Sequence, residues 1–206
     1  MCVRDEVRQL GNGKHKDEIE KLASAGALAN LATAHRRDAL WKAGRAGRPT
    51  GPLLENVPEN SPQAPLKQMT IAERLSADYT GTGLTVGRHP MHFLRPEMND
   101  LGVTTAKDLA KVPNGGLVRV AGSVIVRQRP GTAKGIMFLS MEDETGIANI
   151  VVMPDMFDER RLVLVTEPYL LVEGKVQNVD NVIHVLARRV EKIHPITPAM
   201  TSHDFR

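Results

Sequence analysis

The stretch GLVRVAGSVIVRQRPGTAKGIMFLSMEDETGIANIVV, residues 116–152, decides the fold. Val118, Val120, Val124 and Val126 alternate with Arg119, Ala121, Ile125 and Arg127. A period of two puts successive side chains on opposite faces of an extended chain, whereas a helix repeats every 3.6 residues. The spacing predicts one long strand, bent at Gly122. Pro130-Gly131 supplies a turn, residues 136–142 form a second strand and residues 147–152 a third, with a tight turn at Glu144-Thr145-Gly146 between them.

Working outward, Pro154-Asp155 starts a short helix, residues 169–177 and 182–190 form two more strands, and Asn178 to Asn181 form the turn between them. Strand, hairpin, helix, hairpin is the order of an OB-fold, a five-stranded Greek-key barrel. The expected fold class is therefore all-β, an OB barrel preceded by a small α-helical region and a Pro/Gly-rich linker. A generic small barrel is the alternative, and the helix between strands three and four favours OB.

Upstream the period is helical. Asp17 with Glu20 reads as a capping box, Ile19, Leu22 and Ala23 share a face, Gly26 ends the helix, and a second short helix runs through Arg36 to Trp41. Thr70 and Glu73 form another capping box, and Gly81, Gly83 and Gly87 break the chain after it. The expected domains are a helical segment at 1–43, a linker at 44–68, a helical connector at 69–113, the OB domain at 114–195 and a flexible tail at 196–206.

Composition excludes several classes of function. A single cysteine, Cys2, allows neither a disulfide framework nor a cysteine-rich zinc site. The first ten residues, MCVRDEVRQL, carry charges where a secretion signal needs an apolar run, and no stretch is apolar enough to span a bilayer. A cytoplasmic location without membrane contact is expected. With 27 basic and 24 acidic residues the bulk positive potential is small, so any polyanion must be bound through locally placed charge. Gly81, Gly83 and Gly87 miss the dinucleotide-binding register, and GTAKG lacks the phosphate-loop arrangement. Glu142, Asp143 and Glu144 sit at a hairpin and read as turn residues in preference to metal ligands. His89 and His92 read as structural, because Pro90 disrupts the helical turn that would align them. No catalytic residues and no metal site are expected.

Five residues are candidates for nucleic-acid binding. Arg127, Arg129 and Lys134 flank the turn between strands one and two, where OB-folds border their binding face; they read either as phosphate contacts or as solvated loop charges. Phe138 stands among polar neighbours on strand two, with Met137, Leu139 and Met141 on the other face. It reads as a stacking platform or as a cap on the barrel core. Asn149 falls on the same surface and reads either as an amide for a base edge or as a partner for backbone.

Specific strings carry a resemblance. RQRPGTAKG at 127–135, MEDETGIANIVV at 141–152, TGTGLTVGRHPM at 80–91 and LASAGAL at 22–28 with RRDALW at 36–41 are similar to the OB region and preceding segments of bacterial error-prone C-family DNA polymerases, relatives of the polymerase III alpha subunit. The likeness spans residues 19–193 and is weakest in the linker. It implies binding of single-stranded or primer-template DNA in replication and mutagenic translesion repair, with SOS accessory proteins and the sliding clamp as partners. Magnesium would serve the full polymerase, with no cofactor in this chain. The family's palm has no counterpart here, and QMTIAERL at Gln68 lacks the aromatic end of a clamp-binding motif, so the chain reads as a fragment or separately encoded tail, inactive alone. A protein-docking OB module is one alternative. Anticodon-binding OB domains of class II tRNA synthetases also look similar around Phe138 and Asn149, and an anticodon-binding fragment is the other.

Overall fold

The computed structural model describes residues 16–28, 35–46, 64–179, 182–194 and 203–205. Most of the expected linker, residues 47–63, lies outside the described residues, as do residues 180–181 of the last turn, residue 195 at the end of the expected OB domain, and residues 196–202 and 206 of the tail. The chain divides into two compact units, Met1–Thr85 and Val86–Arg206. The stretch expected as one helical connector is thereby split between them.

The first unit contains α1 (Lys16–Ser24), α2 (Arg36–Ala46) and α3 (Ile71–Thr82). Its core is small: Ala23, Leu28, Ala39 and Ala43, with Ile19 and Leu40 packed against them. Asp17 lies inside the first turn of α1, where its charge suits the helix dipole, instead of capping the helix. Gly26, at φ 81°, takes the left-handed conformation that ends α1. The capping box at α3 forms as the sequence predicts: the Glu73 amide donates to Thr70 Oγ1 at 3.2 Å, and the Thr70 amide donates to Glu73 Oε2 at 2.8 Å. Buried Arg36 ties the three helices together, donating to the carbonyl of Ser24 and pairing with Asp78.

The second unit contains α4 (Pro90–Asp100), β1 (Leu117–Gln128), β2 (Met137–Asp143), β3 (Gly146–Val152), α5 (Pro154–Thr166), β4 (Tyr169–Val179), β5 (Val182–Lys192) and β6 (His203–Phe205). Strands β1 to β5 close into an OB barrel in the order β2-β3-β5-β4-β1, with β1 pairing back onto β2. Closure depends on the bend in β1. Its first half, Leu117 to Ser123, pairs with β4, and its second half, Ser123 to Gln128, pairs with β2. Gly122 sits at the hand-over because a Cβ there would stand 2.6 Å from the Glu142 carbonyl oxygen. In the tail, β6 pairs parallel with Val126 to Gln128.

The barrel interior is filled by residues such as Val120, Leu139, Met141, Ile150 and Val172, and α5 adds Phe157 and Leu164. Helix α4 packs outside, where Met91, Leu94 and Met98 meet Ala121 and Tyr169. Pro90 begins this helix and does not disrupt one. At the first helical position its missing N–H has no partner to lose, and His89 caps the end by accepting from the Met91 amide at 3.2 Å through Nδ1. Among the described residues no helix is long and apolar enough to cross a membrane.

Candidate nucleic-acid interface

The candidate interface lies on the outer face of β2. Met137, Leu139 and Met141 are buried, so Phe138, Ser140 and Glu142 alternate outward, and Phe138 is 38% exposed. Phe138 is thus placed on the barrel exterior and does not cap the core. Strand register sets Val151 opposite Phe138 and Asn149 opposite Ser140. Asn149 is exposed on Phe138's surface, and its Oδ1 accepts from Ser140 Oγ at 3.3 Å.

The β1–β2 loop borders this face. Residues 131–133 form one turn of 3-10 helix, and Lys134 follows at φ 51° with its side chain exposed. The Arg129 guanidinium lies over the Phe157 ring at 4.0 Å from its centroid, and its Nε donates to the Gly135 carbonyl at 3.3 Å. The cation over the ring and the bond to Gly135 together hold the Arg129 charge at the loop.

Arg127 is placed elsewhere, which corrects its reading as a loop charge. It is buried, with Nε donating to the Leu164 carbonyl at 2.8 Å and Nη2 to the Glu167 carbonyl at 2.6 Å. It satisfies the C-terminal end of α5, where carbonyls lack helical partners. The cause is a register shift in β1: Val124 pairs with Met141 but Val126 with Ser140, so one extra residue inverts the alternation and turns Arg127 inward.

Four further residues join the face, and sequence reasoning missed them. His184 lies opposite Asn149 and Gln177 opposite His184, with His184 Nε2 3.1 Å from Gln177 Oε1. Leu186 lies opposite Val151 and Lys175 opposite Leu186, which puts a cation at the end of the Phe138 row. Ser140, which strand alternation already placed on the Phe138 face, adjoins these four through Asn149. Polar residues at alternate positions beside buried Val176 and Val185 were the available signal.

The acidic turn is engaged internally. Asp143 accepts from the amides of Thr145 and Gly146 at 2.7 and 3.1 Å, and Arg95 reaches Asp143 at 3.0 Å and Glu144 at 2.5 Å. Among the described residues no three His, Cys, Asp or Glu side chains are grouped to hold a metal ion. Asp143 and Glu144 are thus committed to the turn and to Arg95. Near this turn, His89 has its pKa below the ordinary 6.5, chiefly because burial opposes its charged form, although Glu142, Glu144 and Asp143 pull the other way.

A closed five-stranded barrel with a helix between β3 and β4 defines the class as an OB-fold, and residues 118–193 match a family described as an OB-fold nucleic acid binding domain. Over most of its length the chain is homologous to error-prone DNA polymerases. It is 44% identical over 181 residues to the "Error-prone DNA polymerase" of Anaeromyxobacter dehalogenans, covering 88% of this chain and 16% of that protein. It is 41% identical over 182 residues to the protein of the same name from Caulobacter vibrioides, covering 86% of this chain and 17% of that one. The chain therefore spans about a sixth of the length of these relatives. Among solved structures, asparaginyl-tRNA synthetase from Pyrococcus horikoshii is similar at 23% identity and a TM-score of 0.38, covering 46% of this chain and 24% of that one.

Proposed function

We propose that this barrel holds single-stranded DNA, as the template-binding module of an error-prone polymerase acting in replication and mutagenic translesion repair. The observation that carries the reading is Phe138, an aromatic 38% exposed in the middle of a sheet whose alternate residues are buried. A base stacking there covers apolar surface that the fold itself leaves in water. Arg129, Lys134 and Lys175 would meet phosphates on either side, and Asn149 would meet a base edge. Arg127 has no part in this surface. Polymerase chemistry with its magnesium, and contacts with SOS accessory proteins and the sliding clamp, belong to the proposal for the full-length protein.

Titration of labelled single-stranded oligonucleotide at low salt tests the reading with the full chain. Binding should weaken as salt rises, since phosphate contacts release counterions. No binding by a folded chain would sink it and leave the protein-docking alternative, while preference for tRNA would favour an anticodon-binding fragment.

A further inference from the structure

We propose that the outer face disfavours adenine, through two side-chain amides whose oxygens are already engaged. The inference rests on the single-strand-binding reading and specifies which bases that face takes.

Register aligns Ser140, Asn149, His184 and Gln177 in one row across β2, β3, β5 and β4. Two hydrogen bonds within the row orient both amides. Ser140 Oγ donates to Asn149 Oδ1 at 3.3 Å. His184 Nε2 meets Gln177 Oε1 at 3.1 Å, and because an amide oxygen only accepts, the ring nitrogen carries the proton. Each bond turns the amide oxygen toward its neighbour in the row and leaves the NH2 group as the outer edge, so the two amides offer a ligand chiefly donors. Thymine, cytosine and guanine each carry a carbonyl oxygen that accepts such donors. Adenine carries none, and its ring acceptors N1 and N7 both lie beside the amino group, which meets a paired donor as donor against donor. Ser140 acts here as a positioning residue: it sets the Asn149 amide without meeting the base.

The test is fluorescence anisotropy of the full chain with labelled oligo(dT), oligo(dC) and oligo(dA) of equal length. Wild type should bind oligo(dT) and oligo(dC) about tenfold more tightly than oligo(dA), the lower end of the range for one paired base contact. Oligo(dA) stacks on itself, so the decisive reading is how variants move the ratio. Ser140→Ala should narrow it severalfold by improving oligo(dA) binding, because the freed amide can turn its oxygen to the adenine amino group. Ser140→Thr, which keeps the hydroxyl, should retain the ratio, and Asn149→Ala should narrow it through weaker oligo(dT) binding. A ratio that neither alanine variant moves, or tighter binding of oligo(dA), would overturn the discrimination while leaving single-strand binding intact. Failure of every oligonucleotide to bind would overturn both.

Discussion

Arg127 on β1 is bonded to the main chain of α5, its Nε donating to the carbonyl oxygen of Leu164 at 2.8 Å. Leu164 is itself fully buried in the barrel core, so the bond lies where water cannot replace it. Arg127→Ala should therefore lower Tm, with about 1–3 kcal/mol lost from the buried Leu164 carbonyl left without a donor. Oligonucleotide affinity per folded molecule and its salt slope should not change. Arg127→Lys should recover only part, because one ammonium lacks the fork that reaches both Leu164 and Glu167. Chemical denaturation beside a salt titration separates these outcomes, and a lower salt slope would place Arg127 on the ligand.

Phe138 should behave in the opposite way. Phe138→Ala should cost about 1–3 kcal/mol of single-strand binding, with the salt slope unchanged, because stacking releases few counterions. Its outward position implies only a small fall in Tm. Unfolding without a specific binding loss would return Phe138 to a structural role.

Arg129 and Lys134 should each neutralise a phosphate. Replacing either with Ala should weaken binding to all sequences alike and lower the salt slope by roughly 0.7 for each phosphate no longer neutralised. Arg129→Ala should also cost about 0.5–1 kcal/mol of stability by removing the cation from the face of Phe157. Equal salt slopes in wild type and both variants would show that the loop charges are merely solvated.

The bend in β1 tolerates no side chain. In Gly122→Ala the new Cβ would lie 2.6 Å from the Glu142 carbonyl oxygen, so β1 and β2 must separate at the point where the barrel closes. Overpacking of this kind costs about 1–3 kcal/mol. Gly131→Ala is the control, since nothing lies within 4 Å of a Cβ there. Melting curves should separate the two, and equal Tm values would contradict the strand hand-over at Gly122.

His89 links stability to acidity. Its folded pKa lies below the ordinary 6.5, mainly through burial, so the unfolded chain binds the proton more tightly. Its contribution is complete above about pH 6.5 and is lost as pH falls through the folded value. His89→Asn keeps a capping acceptor and removes the titrating ring. Below neutrality the variant's Tm should fall less than that of wild type, and parallel curves would show that His89 does not titrate on unfolding.

The chain by itself determined the barrel. Alternation along residues 117–128 and 137–152, turn residues at Pro130-Gly131 and Thr145-Gly146, and a helix start at Pro154 are local signals, and local sterics and one-sided burial translate each directly into structure. It also singled out Phe138, whose polar strand neighbours Ser140 and Glu142 marked its face as the outer one. Arg127 was illegible, because the register shift between Val124 and Val126 is set by how β1 meets β2 and inverts every position after it. Pro90 misled for a related reason: the residue that breaks a helix inside starts one at its end, and packing of α4 against Ala121 and Tyr169 decides which applies. The row from Ser140 through Asn149 and His184 to Gln177 exists only in the closed barrel. Its residues are distant along the chain, and only hydrogen-bond register between β3 and β5 brings the two amide pairs together.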